Sequence, residues 1–234
     1  MKNKIHYIFY IILILLGFKT YSQNIMGIDV AHHQGTINWS EVKNLGGKEF
    51  AWVKATEGYS GSGSQDPNFI SNMSNGINAG LVMGAYHFAR PDNNSPEQDA
   101  ENFLNVASNY IGDGFLPPVI DIENIYDGSG ILIHDFTQEL TSSEFTNWVQ
   151  TWIDTVESQT GVAPIIYANL SYTNHFETSI NNYGLWVAAY SYTPTNPPTD
   201  LGAWSDWLFL QYSETGSVPG IIGDVDLNVF KYSF

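Results

Sequence analysis

Eight short apolar runs rich in β-branched and aromatic residues recur along the chain: Met26 to Val30, Phe50 to Lys54, Val82 to Phe88, Val119 to Glu123, Ile165 to Ala168, Leu185 to Tyr190, Leu208 to Tyr212 and Val225 to Val229. Their length and composition predict strands. Between the earlier runs the apolar spacing widens to that of a helix, and each such stretch carries its own start signal. Asp66-Pro67 offers an N-cap followed by proline at the first helical position, with Phe69, Ile70, Met73 and Ile77 on one face. Ser95-Pro96-Glu97-Gln98 repeats the device as a capping box and leads into Ala100, Phe103, Leu104, Ala107 and Ile111. A third box, Thr141 to Glu144, precedes Phe145, Trp148, Val149, Trp152, Ile153 and Val156, and the two tryptophans are expected in the core.

Strands alternating with helices predict βαβ units and a parallel sheet, and about eight strands allow closure. From Leu185 onward the strands crowd together, separated by Pro- and Gly-rich stretches such as Thr193 to Gly202 and Gly216 to Gly223, which leave little room for helices. The expected fold is therefore α/β, a modified TIM-like barrel that is regular at first and β-rich at its end. No repeat of 20 to 50 residues and no long linker divides residues 23–234, so one domain is expected there.

Lys2 and Lys4, the apolar run Ile8 to Phe18 and the polar Lys19-Thr20-Tyr21-Ser22 have the three-part layout of a secretory signal peptide spanning residues 1–22. The run is shorter than the roughly 20 apolar residues a bilayer core requires. Cleavage near Ser22 or Gln23 is expected, giving a secreted or periplasmic protein, a monomer with no stable membrane insertion. The sequence has no Cys, which excludes a disulfide framework. Removing the first 22 residues takes three lysines and no acid, leaving five basic residues against 24 acidic ones. So acidic a chain lacks the clustered Lys and Arg that nucleic acid needs.

In a parallel barrel, reacting groups belong at the carboxyl ends of strands. Asp29, Glu57, Tyr86 with His87, and Asp121 with Glu123 all end apolar runs. Asp121-Ile122-Glu123 is the most informative, because residues two apart on a strand share a face. Two carboxyls crowded on an apolar strand raise the pKa of at least one, so that one donates a proton while the other bears charge, as glycosidic cleavage requires. Taken alone, the triplet fits a solvated strand end or a calcium site equally well.

The blocks around it narrow the choice. Gly27-Ile28-Asp29-Val30 with His32-His33-Gln34-Gly35, Val53 to Gly58, Gly84 to Arg90, Pro118 to Glu123, Leu185 to Tyr190, and Gln211-Tyr212 followed by Gly216 to Gly220 and Val225 to Asn228 occur in this order. Together, from about Met26 to Phe230, they resemble glycoside hydrolase family 25, the Chalaropsis-type lysozymes. The resemblance implies about five β/α units completed by three further strands, and hydrolysis of the β-1,4 bond between N-acetylmuramic acid and N-acetylglucosamine in peptidoglycan. It further implies a catalytic set of Glu123, Asp121, Asp29 and Asp226, with Asp224 the less favoured choice for the last position. Glu123 is then the general acid, and Asp121 either stabilises positive charge or holds the substrate's acetamido group.

Tyr86, Tyr167, Trp186, Tyr190 and Tyr212 stand at strand ends, where aromatic faces suit sugar C–H faces. Tyr86, Tyr167, Trp186 and Tyr190, with Gln211, Lys54, Glu57 and Arg90, are the expected substrate contacts, although Lys54 with Glu57, and Arg90 with a barrel acid, are equally plausible structural pairs. His32-His33 lacks a further His at metal-ligand spacing, one of the two being expected to line the cleft, and His87 reads as a satisfied imidazole. No cofactor or metal is called for. The polar stretch Asn124 to Glu139 is expected to cover the cleft. Rival readings are a non-catalytic glycan-binding barrel and a hydrolase of another amino sugar polymer such as chitin.

Overall fold

The computed structural model describes residues 24–58 and 64–232, so the expected signal peptide lies outside the described residues. In chain order the elements are β1 (Ile25–Val30), α1 (Trp39–Asn44), β2 (Phe50–Glu57), α2 (Phe69–Asn78), β3 (Val82–Phe88), α3 (Pro96–Ala107), β4 (Val119–Asp121), β5 (Ile125–Tyr126), β6 (Leu132–His134), α4 (Phe136–Glu139), α5 (Ser142–Thr160), β7 (Ile165–Asn169), α6 (Leu170–Thr173), β8 (Leu185–Ala188), β9 (Phe209–Gly216) and β10 (Val225–Phe230). All eight expected strands close one barrel in the order β1-β10-β9-β8-β7-β4-β3-β2, and β5 and β6 form a separate hairpin.

Seven barrel strands are parallel, while β10 runs antiparallel to both β9 and β1. Its amino end therefore reaches the rim where the other seven have their carboxyl ends, and Asp226 comes opposite Asp29. The helices fade as expected after β7, where α6 is a single turn followed by a short 3₁₀ segment at Thr178–Asn182. Among the described residues, no helix is long and apolar enough to cross a membrane.

The capping boxes at Ser95 and Thr141 both form. Trp152 is fully buried, whereas Trp148 is half-buried and donates Nε1 to the Asn94 carbonyl at 3.3 Å. Helix α2 departs from expectation. It starts at Phe69 rather than Pro67, and its buried face is Phe69, Asn72, Met73 and Gly76, leaving Ile70 and Ile77 exposed. The reason lies in Asp66, whose carboxylate is drawn across to β1's rim. Oδ2 accepts both the backbone N–H and Nδ1 of His32 at 2.8 Å, while Oδ1 holds Asn68 N–H in a tight turn.

Inside the barrel, Phe50, Trp52, Trp186 and Phe209 form an aromatic plug, with Trp52 and Trp186 stacked at 4.3 Å. Rings this large fit so small a barrel only where facing positions lack side chains. A Cβ on Gly27 would fall 2.3 Å from the Phe50 ring, and one on Gly84 would fall 2.6 Å from Trp52 Nε1. The plug gives the rim a dry floor, and polar residues take over directly above it.

Candidate active site

Above the aromatic floor lies a cavity of about 280 Å³ whose lining includes Asp29, Asp121, Glu123 and Asp226. A wider hollow of about 880 Å³, outside the barrel between α1 and α2, has Glu41 as its one ionisable lining residue among the described residues and offers no comparable chemistry. Strand parity brings the acids together. Asp29 faces inward from β1, and Asp226 faces it from β10. Strand β4 ends at Asp121, one turn of the pleat short of the expected end. Ile122 N–H nonetheless donates to the Tyr167 carbonyl at 3.1 Å, so the chain stays alongside β7 and Glu123 lines the same cavity as Asp121. Asp224 is exposed and absent from the lining.

Each acid has a different environment. Asp29 Oδ1 accepts from Asn228 Nδ2 at 2.6 Å and Gln211 Nε2 at 2.8 Å. Asp121 is buried, and its Oδ1 has no hydrogen-bond partner among the described residues. Burial pushes Asp29 up to about 6, with the two amides holding it back. Glu123 is raised to about 7, by burial and then by the charge of Asp29. Asp226 is raised to about 9, by burial and by Asp29 beside it. Asp121 is driven well above the usual carboxylate range, by burial and then by Glu123. Near neutrality the cluster therefore retains protons, which a general acid requires.

Lys54 supplies the lysine in the lining. Its Nζ sits 2.7 Å from Glu57 Oε2 and 4.7 Å from the centre of the Phe88 ring, and its charge opposes the rise of both Asp121 and Glu123. Glu57 and Arg90, expected at the substrate, do not line the cavity. Arg90 grips Asp92 through Nε and Nη2 and Glu57 through Nη1, each at 2.9 Å. Burial pushes Glu57 up, but Lys54 and Arg90 more than reverse this and keep it ionised. Their role here is to brace Lys54, the pairing alternative that the sequence left open.

Tyr86, Tyr167, Trp186, Tyr190 and Gln211 all line the cavity. Trp186 is buried and forms floor rather than wall, whereas Tyr190 is exposed enough to meet a ring face. Tyr212 is half-buried and lies outside the lining. His33 lines the cavity while His32 pairs with Asp66, the two being turned to different partners by a 3₁₀ turn over His32–Gln34. His87 is fully buried between Thr56 at 2.8 Å and Asp99 at 3.1 Å and stacks on Trp152, a satisfied imidazole.

The segment after Glu123 corrects a further expectation. Its β5–β6 hairpin and α4 contribute nothing to the cavity lining, and Tyr126, Ile131, Leu132 and Ile133 make it an exposed apolar projection rather than a polar cover. Sequence reasoning also passed over Asn228 and Glu214. Asn228 was legible in principle, being two residues beyond Asp226 on one strand. Glu214 was not, because it breaks the inward parity of Phe209 and Gln211 where the β9–β10 register shifts.

Raised carboxyls make stability depend on pH in a definite sense. The folded protein binds more protons than the unfolded chain between the ordinary carboxylate range near 4 and the raised values, so stability falls as pH rises through that window. Thermal melts should show this cluster contributing a loss of stability from about pH 4 through about 6, 7 and 9, where Asp29, Glu123 and Asp226 give up their protons. The loss should be smaller in Asp226→Asn. An equal decline in that variant would contradict the assigned environments.

Comparison with known proteins identifies the family of this barrel. The family model for Glycosyl hydrolases family 25 matches residues 28–221. Lysozyme M1 of Streptomyces globisporus is 36% identical over 217 residues, covering 91% of this chain and 69% of its own. The N,O-diacetylmuramidase of Chalaropsis is 28% identical over 86% of this chain and 96% of its own. Among solved structures, the lysozyme of Streptomyces coelicolor superimposes with a TM-score of 0.78 at 34% identity, covering 91% of this chain and 94% of its own. Both the whole-barrel likeness and the sequence match thus lead to one conclusion: the chain belongs to glycosyl hydrolase family 25 and is a glycoside hydrolase.

Proposed function

We propose that the protein is a secreted N-acetylmuramidase, which hydrolyses the β-1,4 bond between N-acetylmuramic acid and N-acetylglucosamine in peptidoglycan. Its relatives include a lysozyme, an autolytic lysozyme and an N,O-diacetylmuramidase, which favours a peptidoglycan glycan strand as substrate. The observation that carries the mechanism is the Asp121 carboxyl group, which lines the same cavity as Glu123 and whose Oδ1 has no hydrogen-bond partner among the described residues. A 2-acetamido sugar brings an N–H donor of the required kind. With that N–H on Asp121, the acetamido carbonyl oxygen is turned towards C1 of the same ring. Glu123 protonates the glycosidic oxygen as the C1–O bond breaks, and the carbonyl oxygen forms the new bond to C1. Water then adds to C1, its proton passes to Glu123, and the acetamide is restored. Asp29 and Asp226 flank the reacting ring and maintain the field in which Glu123 keeps its proton, while Tyr190 offers a face to the sugar.

Digestion of purified peptidoglycan followed by mass spectrometry tests this reading. Fragments should end in reducing N-acetylmuramic acid, released with retained anomeric configuration. Fragments ending in reducing N-acetylglucosamine, or faster release from chitin oligomers, would assign the cleft to another bond. Export rests on Lys2, Lys4 and the apolar run to Phe18. Amino-terminal sequencing of the exported protein should begin close to Gln23 or Asn24, and material still starting at Met1 would count against cleavage.

A further inference from the structure

The amides beneath Asp29 have fixed orientations. Trp186 Nε1 can only donate, and it donates to Asn228 Oδ1 at 2.8 Å. The Asn228 NH₂ group must therefore face Asp29. Gln211 Oε1 accepts from Tyr167 OH at 2.8 Å and Tyr190 OH at 2.9 Å, which leaves its Nε2 turned towards Asp29. Both amides then donate to the one oxygen, Asp29 Oδ1. All of Asn228, Gln211, Trp186 and Tyr167 are buried, so water does not compete for these bonds.

Two N–H groups donating to one carboxylate oxygen favour the ionised form of Asp29. Any proton shared between Asp29 and its cross-strand neighbour Asp226 is thus displaced towards Asp226. We propose that Asn228 is a positioning residue for the hydrolysis: its locked amide makes Asp29 the charged partner and Asp226 the protonated one, so that Glu123 faces a fixed negative charge and keeps its proton. This rests on Glu123 being the acid of the proposed mechanism. The other ionisable groups around Asp29 are Asp121 at the end of β4, Lys54 on β2, Glu214 on β9 and His33 after β1, with the phenols of Tyr86, Tyr167 and Tyr190. Lys54 is the lysine among them and acts against Asp29 on Glu123. The direction of the effect is consistent with Asp226 being raised further than Asp29.

Asn228→Leu removes the donor with little change in volume. Losing a hydrogen bond to the charged form raises the midpoint of Asp29, and the lost charge lowers that of Glu123. Carbon-13 carboxyl titration of the full-length mature protein should show Asp29 moving up, and the basic limb of kcat/KM should move down by about one pH unit, with KM little changed. Asn228→Ser, which can still donate through its hydroxyl, should recover part of both shifts, and it serves as the test if the leucine variant does not fold. A loss of kcat/KM that is uniform across pH, with both midpoints unmoved, would reduce Asn228 to a packing residue and overturn the proposal. Because the titration of Asp29 is read without substrate, it stays decisive even if peptidoglycan proves to be the wrong polymer.

Discussion

Glu123→Gln is expected to fold and to lose about 10²- to 10⁴-fold in peptidoglycan hydrolysis, the range for removing a positioned general acid. The amide keeps the shape of the side chain but brings no transferable proton, and a sugar hydroxyl leaves poorly without one, which places this case towards the upper end. The wild-type pH profile should be bell-shaped. Its basic limb comes from Glu123, which holds its proton below about 7 and loses it above. Its acid limb comes from protonation of the charged partner, Asp29, near about 6. Activity should therefore peak on the acidic side of neutrality, between two limbs that lie close together. In Glu123→Gln the basic limb should vanish with the activity it governs. A folded Glu123→Gln protein working near the wild-type rate, or a wild-type rate still climbing above about pH 9, well beyond even a strongly raised Glu, would remove Glu123 from the mechanism.

The strands were legible because each is an apolar run, and the i, i+2 rule then aligned Asp121 with Glu123 and Asp29 with the cavity. The direction of β10 was a different matter. Nothing in Val225 to Phe230 says that the strand runs backwards, yet only this reversal brings Asp226 to the rim that holds Asp29. For Glu57 and Arg90 the sequence left substrate contact and structural pairing open for a related reason. Charged residues at strand ends look alike in sequence whether they face substrate or one another, and here Arg90 had Asp92 two residues away to grip. Asp66 carried the composition of a helix cap, but a tertiary partner, His32, outbid the local role. The hairpin at Ile125 to His134 was hidden by its polar neighbours, Asp127 to Gly130 forming the turn between two short apolar strands. Local rules thus located the acids, and long-range pairing decided which groups surround them.

Asp121→Asn should also be slow, by about 10² to 10³, the scale seen when one preorganised electrostatic partner of a transition state is removed, but for a reason that separates it from Glu123→Gln. Wild-type Asp121 lines the cavity with an acceptor-only carboxylate, and in the amide one of its two oxygens is replaced by a donor. The acetamido group is then held less well, and the positive charge growing at the anomeric carbon loses its counter-charge. An aryl glycoside with an acidic phenol as leaving group distinguishes the two defects. Such a substrate needs little protonation, so Glu123→Gln should regain much of its rate on it. Asp121→Asn should not, because attack at the anomeric carbon remains impaired whatever departs. Stability should move the other way. Asp121 is pushed up by burial and by Glu123, so its ionisation opposes folding, and the isosteric amide escapes that penalty. Below about pH 4 Asp121 is protonated in the folded and the unfolded chain alike and the two proteins should melt alike, whereas the variant should become progressively the more stable as pH rises above that range. Equal rescue of both variants by the aryl glycoside, or a melting difference that does not grow with pH, would show that Asp121 does not occupy the strained, charge-bearing position assigned to it.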